Sequence, residues 1–221
     1  MVPSVSAAVR VAGFLMLLAA VAAADAALWY GVAKAWKMGL HFHASESFTP
    51  AVMRDAVLLF CLIVAVYLFP SWGALGRPDM RFAKPVLVAY GGLIALAGLV
   101  FFLNRVVPFF SAPFSRRGPF FFTLGPAAWE LLWSGFIFSL TAALLRWEER
   151  RGAAAVIVVV LAAAGAAWYV PLIVALRPWD AAGFAAISFV IGVVSLEARR
   201  RTGSIWVGLA GHVLVKFFLT W

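Results

Sequence analysis

Charge is scarce in this chain. Of its 221 residues only 12% are Asp, Glu, Lys or Arg, and nine are acidic, whereas a soluble domain carries about a quarter charged residues. Cysteine is nearly absent too. Cys61 stands alone, which excludes a disulfide framework, and its place in an apolar run predicts a buried, inert thiol. There is no polar low-complexity stretch, no repeat of fixed period and no connection long enough to link separate domains, so disordered and fibrous classes are excluded.

Apolar residues fill the gap: they make up 65% of the chain, with a mean hydropathy of +1.01. A water-soluble globule of this size has too little interior to hide them. A spanning helix needs ~20 apolar residues, which leaves room for roughly six to eight spans. The sequence therefore predicts an all-α, polytopic transmembrane helical bundle. Seven apolar runs lie at 11–33, 56–75, 85–103, 126–145, 153–176, 182–196 and 203–221. The first resembles a signal peptide, with Ala24-Asp25-Ala26 as a cleavage-like site, but it continues through Leu28, Trp29 and Tyr30 and reads as an uncleaved span. Turn formers and charges separate the runs, as in Gly76-Arg77-Pro78-Asp79 and Arg199-Arg200-Arg201-Thr202-Gly203.

The formal charge of +9 belongs to these connections, which points to anionic lipid headgroups and away from nucleic acid. Connections on the amino-terminal side hold ten basic residues (Arg10; Arg77, Arg81, Lys84; Arg146, Arg150, Arg151; Arg199, Arg200, Arg201) against seven opposite (Lys34, Lys37, Arg54; Arg105, Arg116, Arg117; Arg177). That bias predicts a cytoplasmic amino terminus and an external carboxyl terminus.

Ionisable groups inside a bilayer need a partner, a water-filled cavity or a function. Four qualify: Asp25, Glu130, His212 and Lys216. Asp25 reads as a residue near a helix end that reaches water or a neighbouring donor. His212 and Lys216, four positions apart, share one helix face, and Lys216 is near enough to the chain end to snorkel. Glu130 lies between Trp129 and Trp133, which restrict water around it. A structural network of Glu130, His212 and Lys216 across two helices accounts for all three. A metal or acid-base site is the alternative, since Glu can activate water and His can bind zinc, but a hydrolytic metal needs a third ligand. His41 and His43 with Glu46 lie in a Ser-rich connection and read as solvated side chains; Glu148-Glu149-Arg150-Arg151 reads as an interfacial charge cluster.

From about Gly125 to Phe218 the chain resembles the CPBP family of intramembrane proteases (CAAX protease and bacteriocin-processing, also called Abi). The family carries E-E-x-x-x-R, then F-x-x-x-H, then H-x-x-x-N or H-x-x-x-D. Here Trp129-Glu130-Leu131-Leu132-Trp133-Ser134 falls on the first motif, Trp168-Tyr169-Val170-Pro171-Leu172 on the second and His212-Val213-Leu214-Val215-Lys216 on the third. The stretch Arg199-Arg200-Arg201-Thr202-Gly203-Ser204-Ile205-Trp206 matches the family's basic turn before its last helix. The resemblance implies a CPBP-like helical core over 121–221 and a place in a bacterial cytoplasmic membrane, and it leaves the helices of 1–120 without an assigned role. In the family the first Glu and two histidines prepare a water, through a metal or without one. This chain departs from that pattern at Trp129, Ser134, Leu172 and Lys216, so only Glu130 and His212 remain as candidate catalytic groups.

The expectation is a degenerate member with no cofactor, acting as a scaffold or regulatory subunit for another membrane protein. The 10 Trp and 20 Phe would supply contact area to lipid or partner. The alternatives are an intramembrane metallopeptidase using Glu130, His212 and zinc, and a small transporter or channel subunit in which Asp25, Glu130 and Lys216 line a polar path.

Overall fold

A computed structural model describes residues 6–37, 50–69, 75–106, 119–145, 151–167 and 178–220. These form seven helical rods and no strand among the described residues: α1 (Ala7–Lys37), α2 (Pro50–Leu68), α3 (Lys84–Val106), α4, α5 (Arg151–Ala167), α6 (Pro178–Thr202) and α7 (Trp206–Thr220). A short 3-10 turn, Met80–Phe82, precedes α3. The rod α4 has three parts in line, Pro119–Trp129, a π-helical segment Glu130–Ile137 and Phe138–Leu145.

Single runs of apolar residues form these rods because a helix satisfies every backbone N–H and C=O within itself, which lipid demands. Three stretches are long and apolar enough to cross a membrane, Ala7–Val32, Thr123–Leu145 and Ala182–Thr202, and three further apolar helices are shorter. Large side chains such as Met16, Phe60, Tyr67 and Val88 point outward, as an integral membrane protein requires. Cys61 lies exposed on the same outward face of α2. The expected buried thiol is therefore corrected: the apolar run around it is apolar because it faces lipid, not because it faces a protein core.

The interior is organised around α4. All eight residues of its π segment are buried, and Trp129, Leu131, Trp133 and Phe136 pack with Phe14 of α1, Leu62 of α2, Leu161 of α5 and Leu196 of α6 in one apolar cluster. Pro126, within the first part of α4, has no N–H to give. It interrupts the ladder one turn before the wider register begins, and π insertions are concentrated where a helix must re-aim side chains. A second cluster joins Val86 and Tyr90 of α3 to Ile191 and Ala198 of α6 and to Val207 and Val215 of α7.

Two connections meet at one end of the bundle. Gly203, at φ +70°, takes the left-handed conformation that ends α6 at low cost only for glycine. The Asp79 N–H donates to the Thr202 carbonyl at 2.9 Å, the Ser204 hydroxyl to the Gly76 carbonyl at 2.6 Å, and the Trp206 indole to the Leu75 carbonyl at 2.9 Å. Residues 75–79 are thereby tied to the α6–α7 turn.

Candidate functional site

Glu130 opens the π segment and His212 sits on the second turn of α7. Their side chains meet: Glu130 Oε1 and His212 Nδ1 share a hydrogen bond of 3.0 Å, with both residues buried. Glu130 Oε2 makes no hydrogen bond among the described residues and points at the backbone of α7, where a Cβ on Gly208 would lie 2.8 Å from it. Glycine at 208 is what lets the carboxylate approach.

Trp129 closes one side of the pair. Its ring stands edge-on to the His212 imidazole with centroids 5.5 Å apart, and its indole donates to the Gly165 carbonyl at 3.2 Å. The ring fills a notch between α5 and α6: a Cβ on Gly165 would come within 2.7 Å of it, and one on Gly192 within 3.2 Å. On another side, the Tyr90 hydroxyl donates to the Gly208 carbonyl at 3.1 Å and shares a 2.5 Å hydrogen bond with the Ser195 hydroxyl. Its ring packs against Gly211, where a Cβ would collide at 2.4 Å. Ser134 is fully buried, and its hydroxyl makes no hydrogen bond among the described residues.

A second buried polar group lies between α1 and α2. Arg54 is fully buried; its Nε and Nη2 donate to Asp55 Oδ1 at 3.0 and 2.7 Å, its Nη1 lies 3.6 Å from Asp25, and the guanidinium stacks over Trp29 at 4.7 Å. Asp55 in turn approaches α4, 3.2 Å from the Cβ position of Gly125. Lys216, one helical turn beyond His212 on α7, is buried as well.

The structure thus brings Glu130 and His212 into contact, puts Trp129 against them and buries Lys216 beside His212. Asp25 lies well inside α1 and not near a helix end, and its carboxylate stands at ion-pair distance, 3.6 Å, from Arg54 of α2. Arg54 itself, placed by its sequence among the connecting residues, is inside the bundle. Tyr90, Ser195 and the Arg54–Asp55 pair were missed. Pro50, a residue favoured at the first helical position, is the signal that α2 begins early enough to include Arg54 and Asp55; the Gly208-x-x-Gly211 spacing just ahead of His212 marks the notch for Tyr90. Leu172, His41, His43, Glu46, Glu148 and Glu149 lie outside the described residues.

Chemically, a hydrolytic metal takes three protein ligands and keeps one open position. Among the described residues no group of three His, Cys, Asp or Glu could hold an ion, and the stretch that falls on the second motif, 168–172, contains none of these residue types. Glu130 and His212 alone are one ligand short of that set among the described residues.

Residues 113–218 match the family model described as Type II CAAX prenyl endopeptidase Rce1-like. Neither the curated proteins nor the solved structures yielded a match.

Proposed function

We propose, since residues 113–218 match the Rce1-like CAAX prenyl endopeptidase family model, that this integral membrane protein keeps the family's helical core without its peptidase chemistry and serves as a scaffold or regulatory subunit for another membrane protein. One observation carries this reading: the two motif groups that remain, Glu130 and His212, are bonded to each other at 3.0 Å and enclosed. A general base must reach the water it activates. Here one carboxylate oxygen meets the imidazole, the other is buried facing Gly208 with no hydrogen-bond partner among the described residues, and an indole ring stands against His212. The pair is suited to joining α4 to α7.

Affinity purification of the full chain from native membranes in mild detergent, followed by mass spectrometry, tests the reading. A stoichiometric membrane-protein partner is expected, and Glu130→Gln should retain it. A chain that emerges alone and cleaves a prenylated CAAX peptide in a manner lost in Glu130→Gln overturns the proposal and restores the peptidase.

A further inference from the structure

At the end of the bundle where residues 75–84 dock on the α6–α7 turn, basic side chains outnumber the carboxylates among the described residues. Arg77, Arg81, Lys84, Arg199, Arg200 and Arg201 face only two acidic residues in the same segments, Asp79 and Glu197. Asp79 is taken by Arg81, at 2.7 Å; that hydrogen bond holds its carboxyl below the ordinary carboxylate range. Glu197 is taken by both Arg200 and Arg201, at 2.6 and 2.5 Å.

Three cations have no carboxylate partner among the described residues. Arg77 and Lys84 are exposed. Arg199 is half-buried, its guanidinium stacked over Phe138 at 5.6 Å with one long contact of 3.4 Å to the Ser139 hydroxyl, and its Nε has no hydrogen-bond partner among the described residues. Capping of α6 does not require it. The Ala198 carbonyl accepts from Thr202 Oγ1, the Arg199 carbonyl from the Gly203 N–H, and the Thr202 carbonyl from the Asp79 N–H.

Beside these cations stand exposed apolar side chains of interfacial character: Met80, Phe82 and Trp206, the last with its indole N–H already bonded to the Leu75 carbonyl. An aromatic and apolar rim beside uncompensated Arg and Lys is the pattern that seats in the headgroup layer. We propose that Arg77, Lys84 and Arg199 form a binding site for the phosphate of an anionic phospholipid headgroup, with Trp206, Met80 and Phe82 inserted among the adjoining acyl chains. The planar guanidinium of Arg199 suits phosphate oxygens, and the neighbouring apolar surface favours a lipid over a free anion.

The test uses the delipidated full chain in a zwitterionic detergent, with fluorescent short-chain phosphatidylglycerol and phosphatidylcholine as probes and anisotropy as the readout. Unmodified protein should favour phosphatidylglycerol by at least about tenfold, and each of Arg77→Gln, Lys84→Gln and Arg199→Gln should weaken its binding by about fivefold. The exposed single variants Arg77→Gln and Lys84→Gln remove no internal contact, so they keep the test valid if Arg199→Gln lowers the yield of folded protein. Arg10→Gln with Lys34→Gln, which removes two charges outside this cluster, should leave the preference unchanged. Equal affinity for the two lipids, an equal loss in the Arg10/Lys34 variant, or full displacement by millimolar inorganic phosphate would each overturn the site.

Discussion

A buried carboxylate and a buried imidazole that bond to each other stabilise a bundle only while both are present. Removing one partner leaves the other with its desolvation cost and no hydrogen bond, about 1–3 kcal/mol and more if charged, whereas replacing both by apolar groups of similar shape can be close to neutral. Glu130 and His212 meet this condition, since each is buried and each is the other's hydrogen-bond partner. Glu130→Leu and His212→Leu should each lower the melting temperature in detergent, and the double replacement should lower it by less than the sum of the two. Strict additivity would show that the bond contributes nothing. The sequence offers both His212 and Lys216, four residues apart, as partners of Glu130. Spacing could show that His212 and Lys216 share a face but not which of them bonds to Glu130, and in the structure His212 does.

Among the elements, α2 separates what was legible from what was not. Its apolar character was plain from 56 onward, but the rod begins at Pro50, because adjacent Arg54 and Asp55 neutralise each other and can be carried inside. A charge normally marks the end of an apolar run; a compensated pair does not, and compensation from a third residue on α1, Asp25, is invisible in one dimension. α6 is the opposite case. It outruns its apolar stretch and ends only at Thr202, since Glu197 pairs with Arg200 and Arg201 at helical spacing and supports the last turn. Taking out one member of a buried ion pair typically costs about 3–5 kcal/mol. Arg54→Leu should therefore destabilise the α1–α2 contact by about that amount, visible as a lower melting temperature. Arg54→Lys should recover only part, because an ammonium cannot donate twice to Asp55, approach Asp25 and stack on Trp29 at once. Full stability in Arg54→Lys would show that only the charge at this position matters.

For the molecule as a whole, alternating seven runs across a bilayer puts residues 77–84 and 199–201 on one side, since an even number of crossings, four, separates them. The structure supports that parity by a route independent of hydropathy: Asp79 bonds to Thr202, and Gly76 to Ser204, which no arrangement with the two connections on opposite faces allows. The even parity of the crossings between them is thus tied to a backbone hydrogen bond of 2.9 Å and not only to a count of apolar stretches. The consequence is measurable in intact cells or sealed vesicles. With Cys61 replaced by Ala, single cysteines at Arg77 and at Arg200 should react with a membrane-impermeant maleimide from the same side. A reporter fused after Trp221 should be active on the other side, because α7 alone separates it from Arg200. Labelling of the two cysteines from opposite faces would break the docking of residues 75–79 on the α6–α7 turn, and with it the lipid site built on that docking. Labelling from one face together with a reporter on that same face would leave the docking intact and show that α7 enters the bilayer without crossing it.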